Sequence, residues 1–176
     1  MDRLDVMGLT RSMNLSPVVL LTSTAVVATA AAGGMMYVFS TFVMRGLDRT
    51  GPVQAIAAMR GINAEANSNA AFLLPYLGAA ILAICVGVVA VIQWNRPGSG
   101  WLLAGAVAGI AGVVVTMAFN VPLNIRLDAV NPDGLSVADA AREWQAYLSS
   151  WTAWNHVRAA TGLVSAVLLL IGLARR

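Results

Sequence analysis

The sequence predicts an all-α integral membrane protein, a four-helix bundle with two partly helical loops on one side. Three observations lead there. Of 176 residues, 59% are apolar and only 11% charged, whereas a soluble domain carries about a quarter charged residues. Mean hydropathy is +0.75. The charges also leave long gaps: 33 residues between Arg11 and Arg45, 30 between Glu65 and Arg96, 29 between Arg96 and Arg126, and 16 between Arg158 and Arg175. A soluble domain is excluded because so few charges cannot cover its surface. Disorder is excluded by the hydrophobicity, and a disulfide-stapled module by the single Cys85.

A helix needs roughly 20 apolar residues to cross about 30 Å of hydrocarbon. The predicted spans are about 18–44, 72–93, 101–122 and 156–174. The fourth is long enough if it starts near His156, with Arg158 snorkelling or paired inside the bundle. A β-barrel would need many alternating segments of about ten residues, and these runs are continuous and rich in Ala, Gly and Leu. Ala28-Thr29-Ala30 resembles a signal-peptidase site, but the apolar run continues to Met44, which is the behaviour of a span. With no repeat or flexible linker visible, residues 1–176 read as a single membrane domain.

The connections differ in kind. Trp94 to Gly100 is a tight turn. In the first long loop, Pro52 suits the first turn of a helix over Val53–Asn67. In the second, Ser136 and Asp139 have capping-box spacing before a helix over 137–150. Four spans place both termini and the tight turn on one side, with Arg3, Arg11, Arg96, Arg175 and Arg176. Six Arg lie on the other side, so the count alone does not orient the chain. Cytoplasmic termini are favoured because Arg45, Arg60, Arg126 and Arg158 stand where structure can engage them, while Arg96 and Arg175-Arg176 are ordinary anchors. The expected setting is the cell membrane, as a multi-pass protein in contact with lipid. The isoelectric point near 9.8 follows from membrane orientation, and no nucleic-acid partner is expected.

Polar groups at hydrocarbon depth must find partners, so they mark the candidate site. Gly105, Gly109, Gly112, Thr116, Asn120 and Asn124 recur every three or four residues, on one helix face. The glycines offer close helix approach, either within the bundle or toward a partner helix or second copy. Pro122 frees a carbonyl one turn earlier, and Asn120 and Asn124 act either as interhelical glue or as the lining of a polar pocket. Trp151, Asn155, Arg158, Gly162 and Ser165 share a face of the fourth span, with His156 about 100° away. Trp151 and Trp154 fit an interfacial belt or a stacking surface. His156, the only histidine, is either structural or a base at neutral pH. Arg60, Asn63 and Asn67 form a polar stripe on the loop helix, and Tyr37, Ser40 and Thr41 end the first span. All of these converge on one end of the bundle. One His and one Cys make a zinc or copper site unexpected, and no metal or other cofactor is expected.

Several motifs resemble the anthrone-oxygenase-like family of small four-helix membrane proteins. They are Tyr37-Val38-Phe39-Ser40 leading into Phe42 to Leu47, Ala55 to Asn63, Asn120-Val121-Pro122-Leu123-Asn124, and Trp151 to Arg158. In order and spacing the resemblance runs from about residue 25 to 173. Many members are known only as a domain of unknown function. It implies a four-helix bundle and, for the members with assigned chemistry, oxidation of an anthrone to an anthraquinone by dioxygen without an evident metal or flavin.

Three function classes follow. In the first, a cofactor-independent oxygenase acts on an anthrone, phenol or hydroquinone. His156 serves as base, and Arg158, Asn120 and Asn124 hold the oxyanion. Arg60, Asn63 and Tyr37 cover the pocket, while Trp151, Trp154 and Asn155 contact a flat aromatic or quinone-like molecule. In the second, a lipid- or quinone-binding accessory subunit uses the same pocket without turnover and docks a partner through Gly105, Gly109 and Gly112. In the third, a structural membrane protein uses its polar cluster only to close the bundle.

Overall fold

The computed structural model describes residues 16–176. Arg3 and Arg11, part of the charge count on the terminal side, lie outside the described residues. Four helices are long and apolar enough to cross a membrane. They are α1 (Pro17–Asp48), α3 (Ala70–Ile92), α4 (Ser99–Asp128) and α5 (Val137–Ala174). A shorter helix, α2 (Pro52–Ser68), fills the first long connection. Among the described residues there is no β-strand. In the bundle α1 lies beside α3 and α5, and α4 beside the same two, so successive spans are neighbours around a closed square.

Local chemistry sets the boundaries. Pro52 opens α2 as expected, after Gly51 at φ 92° turns the chain back. Asn69 ends α2 and caps α3, its side-chain oxygen accepting from the Phe72 amide at 3.1 Å. Ser136 caps α5 by accepting from the Asp139 amide at 3.2 Å. In the tight turn, Gly98 adopts φ 82°, and a Cβ there would lie 2.3 Å from the Gly172 carbonyl.

Three expectations need correcting. The helix expected over 137–150 and the span expected over 156–174 are one helix of 38 residues. The intervening Leu148 to Asn155 stretch holds neither Gly nor Pro, so nothing ends the hydrogen-bond ladder. At 1.5 Å per residue α5 runs about 57 Å, far beyond a bilayer core, and its first half packs on α2. The third span likewise continues past residue 122 to Asp128, because the chain absorbs Pro122 with a π-helical turn over Thr116–Asn120. A second π turn, Phe39–Val43, interrupts α1 at the same end of the bundle.

Packing divides into two cores. Within the spans, Ala25, Val86, Ala90, Leu102 and Leu169 are fully buried. Here small residues set the spacing: a Cβ on Gly162 would lie 2.7 Å from the Gly33 Cα, so α1 and α5 touch backbone to backbone. The glycine face of α4 is taken up in the same way. Gly105 meets Leu169, Gly109 meets Ser165 and Ala83, and Gly112 meets Thr161. These three glycines therefore serve contacts inside the chain, with Gly105 buried and Gly109 and Gly112 half-buried. The second core lies at the opposite end from the tight turn, where Met44, Ile56, Met59, Leu127, Trp144, Tyr147 and Trp151 join α1, α2, α4 and α5.

Candidate functional site

Between α2, the facing ends of α1, α3 and α4, and the middle of α5 lies a cavity of about 490 Å³, within the size range of small-molecule sites. Its walls are mainly apolar and aromatic, with Met36 and Phe39 from α1, Met59 and Ile62 from α2, Phe72 from α3 and Trp151 from α5. Its polar groups are Asn63 and Glu65 from α2, Asn124 from α4 and Arg158 from α5.

Arg158 is the informative residue. Only 8% of it is exposed, and it forms no ion pair among the described residues. Its guanidinium lies 5.8 Å from the Tyr76 ring centre and 5.9 Å from that of Trp151, near enough for cation–π attraction. Its Nε is buried with no hydrogen-bond partner among the described residues. A buried cation without a counter-ion is costly. Placed on a cavity wall, it is a ready anion acceptor.

Asn124 is oriented by its neighbours. Its Oδ1 accepts from Trp151 Nε1 at 2.8 Å and from the Tyr147 hydroxyl at 2.9 Å. An indole N–H can only donate, so the atom facing it is the oxygen, and Nδ2 points elsewhere in a residue that lines the cavity. Asn120, only 1% exposed, donates to the Trp151 carbonyl at 3.2 Å and leaves its own Oδ1 unpartnered among the described residues. Asn155 is fully buried and ties α5 to α1 through the Met36 carbonyl at 2.7 Å and Ser40 Oγ at 2.8 Å.

The structure thus brings Arg158, Asn124, Asn63 and Trp151 onto one cavity, with Asn120 and Asn155 buried behind Trp151 and against α1. Trp151 is 4% exposed and part of the core, so it is not a belt residue at a helix entrance; it sits in the middle of α5. Trp154 is half-buried and stacks on Phe119 with ring centres 3.5 Å apart. Other expected residues are elsewhere. Arg60 donates to the Val130 carbonyl at 2.8 Å and lines a separate groove with Asp128 and Asp133. Tyr37 is 55% exposed. His156 is exposed and lines an outer groove with Arg45, Asp48 and Thr152. Two residues along a helix turn it by about 200°, so His156 and Arg158 point to nearly opposite sides of α5.

Sequence reasoning overlooked Glu65, Met36, Phe39, Met59, Ile62 and Phe72 on the cavity wall. One signal was present: Met59, Ile62, Asn63 and Ala66 follow helical spacing along α2, and all line the cavity. Glu65 read only as the last charge before the second span.

No curated protein and no solved structure matches the chain. A family model described as anthrone oxygenase matches residues 69–168. The matched segment holds Asn120, Asn124, Trp151 and Arg158, the α4 and α5 side of the site, while α2 lies outside it. That match spans more than half of the chain, from the start of α3 through most of α5, and the chain therefore belongs to the anthrone oxygenase family.

Proposed function

We propose that this protein oxidises a flat anthrone-, phenol- or hydroquinone-type molecule with dioxygen in the α2 cavity. The observation that carries the reading is Arg158, a buried cation without a carboxylate partner on the wall of an aromatic-lined cavity. Substrates of this class become reactive toward dioxygen once ionised, because the anion is electron-rich. A guanidinium fixed at the cavity wall stabilises that anion as it forms, more strongly than in water because little solvent competes. Asn124 Nδ2 adds a donor on the same wall. Trp151 and Phe39, whose ring centres are 5.9 Å apart, offer faces to a planar molecule. An apolar substrate dissolved in the bilayer would reach the site without crossing water.

Oxygen uptake by the purified protein in lipid nanodiscs, with anthrone as substrate, tests the reading. Arg158→Met is expected to lower turnover by about 10²–10³-fold, the usual effect of losing an oxyanion donor. The same variant should melt at the wild-type temperature or above it, because an apolar side chain of similar length replaces an uncompensated charge. Unchanged turnover in Arg158→Met refutes the role. Quinone binding with no oxygen uptake in the wild type makes the chain a carrier. The reading also keeps the termini cytoplasmic, which places the cavity at the outer face. Labelling of single cysteines introduced at Gly134 and Asn95, both exposed, in a Cys85→Ala background in intact cells would reverse that assignment if only position 95 reacts.

A further inference from the structure

We propose that the Glu65 carboxylate takes the proton from a substrate bound in the α2 cavity while Arg158 holds the anion that results. This rests on the oxygenase reading above.

Among the described residues lining the cavity, Glu65 and Arg158 are the two that ionise. The other acids and the histidine near this end face other spaces. Asp128 accepts from Asn63 Nδ2 at 3.3 Å and lines the groove on the Arg60 side of α2. Asp48 accepts from Trp144 Nε1 and lines the outer groove with His156. Glu65 is also held in place. Its Oε1 accepts from Asn69 Nδ2 at 2.7 Å, and Asn69 is itself fixed as the cap of α3. The clamp restrains the carboxylate beside the cavity, where it can hold the proton until the peroxide anion takes it back.

Charge balance favours the pair. A neutral substrate entering beside one carboxylate and one guanidinium leaves the cavity with no net charge. Transfer of a proton to Glu65 moves the negative charge to the substrate, next to Arg158, and creates none. Glu65 is exposed while Arg158 is buried, so the low-dielectric end of the transfer is the one that holds the cation. An anion formed beside that guanidinium costs far less than an isolated one there.

For an anthrone, the step breaks a C–H bond of the methylene carbon. The proton goes to Glu65, and the electron pair spreads over the ring system and its oxygen. Dioxygen, the oxidant, then bonds to that carbon and is reduced to a peroxide anion, which takes the proton back from Glu65. The carbon loses its second proton, the O–O bond breaks, and hydroxide leaves as the C=O bond forms. Hydroxide and proton make water. The carbon gives up four electrons and dioxygen accepts four.

The test separates ionisation from oxidation. Wild type, Glu65→Gln, Glu65→Asp and His156→Ala in nanodiscs are mixed with anthrone without oxygen, and the long-wavelength absorbance of the anthrone anion is recorded. Air is then admitted and quinone formation followed. Binding of anthraquinone is measured separately by quenching of tryptophan fluorescence. The expected result is an anion band in the wild type that is lost in Glu65→Gln, with turnover down about 100-fold or more and anthraquinone binding retained. Glu65→Asp should recover part of the band. An anion band that survives in Glu65→Gln overturns the proposal, as does a band lost only in His156→Ala. Loss of anthraquinone binding in Glu65→Gln also overturns it, because the carboxylate would then be structural. A wild type that binds anthraquinone but gives neither band nor oxygen uptake refutes the oxygenase reading itself, and this assignment with it.

Discussion

The two ends of the bundle solve packing in opposite ways. Toward the tight turn and through the mid-span, small residues let helices meet at backbone distance, as Gly33 does with Gly162 and Gly172 with Leu102. That region keeps few polar side chains: Thr29 Oγ1 donates to the Ala25 carbonyl of its own helix at 2.8 Å, and Ser165 Oγ donates across to the Gly105 carbonyl of α4 at 2.7 Å. At the α2 end, Trp, Tyr and Met side chains hold the helices apart. Asparagines bridge what remains, and a cavity survives. Close approach leaves no room for a ligand, while wide spacing leaves room and also leaves Arg158 Nε and Asn120 Oδ1 buried without partners among the described residues. The first region thereby serves cohesion, while the second holds the cavity proposed above as the site.

The largest effect is expected where backbones touch. Gly162→Leu places a side chain against the Gly33 backbone, which cannot yield, and should cost about 3 kcal/mol, the upper end of the usual overpacking range. Thermal melting in detergent should show a large fall, with turnover lost because the fold is lost. Asn124→Ala probes the other end. It leaves the Tyr147 hydroxyl and Trp151 Nε1 without their acceptor and should cost about 1–3 kcal/mol. A melting temperature unchanged by Asn124→Ala would mean that those donors reach water, and the contrast between the ends would weaken. The smallest effect belongs to the projecting half of α5. Ser136→Ala removes its cap at a cost of about 1 kcal/mol. Amide exchange should quicken over residues 137–141 and stay unchanged around Gly162.

Much of the fold was legible in local sequence. Runs of uncharged residues located each span, and Pro52 and Ser136 acted where their chemistry predicts. The site was legible in part. Asn124, Trp151, Arg158 and Asn63 were chosen as polar or aromatic groups that must find partners, and they meet at one cavity. Glu65 escaped notice because a charge beside a span boundary resembles any other solvated anchor. His156 attracted attention as the only histidine, yet its face of α5 turns outward. The angle between it and the Arg158 face could be read from spacing, but which face meets α2 could not.

Composition and spacing alone therefore determined the membrane class, the number of spans, the loop helix and the Ser136 cap, because each depends on residues within one contiguous segment. Tertiary structure decided the continuity of α5, the two π turns, the packing partners of the α4 glycines and the cavity beneath α2. Those features depend on which faces of distant helices meet. That choice minimises unpaired polar groups and empty space over the whole chain at once, so no single segment encodes it.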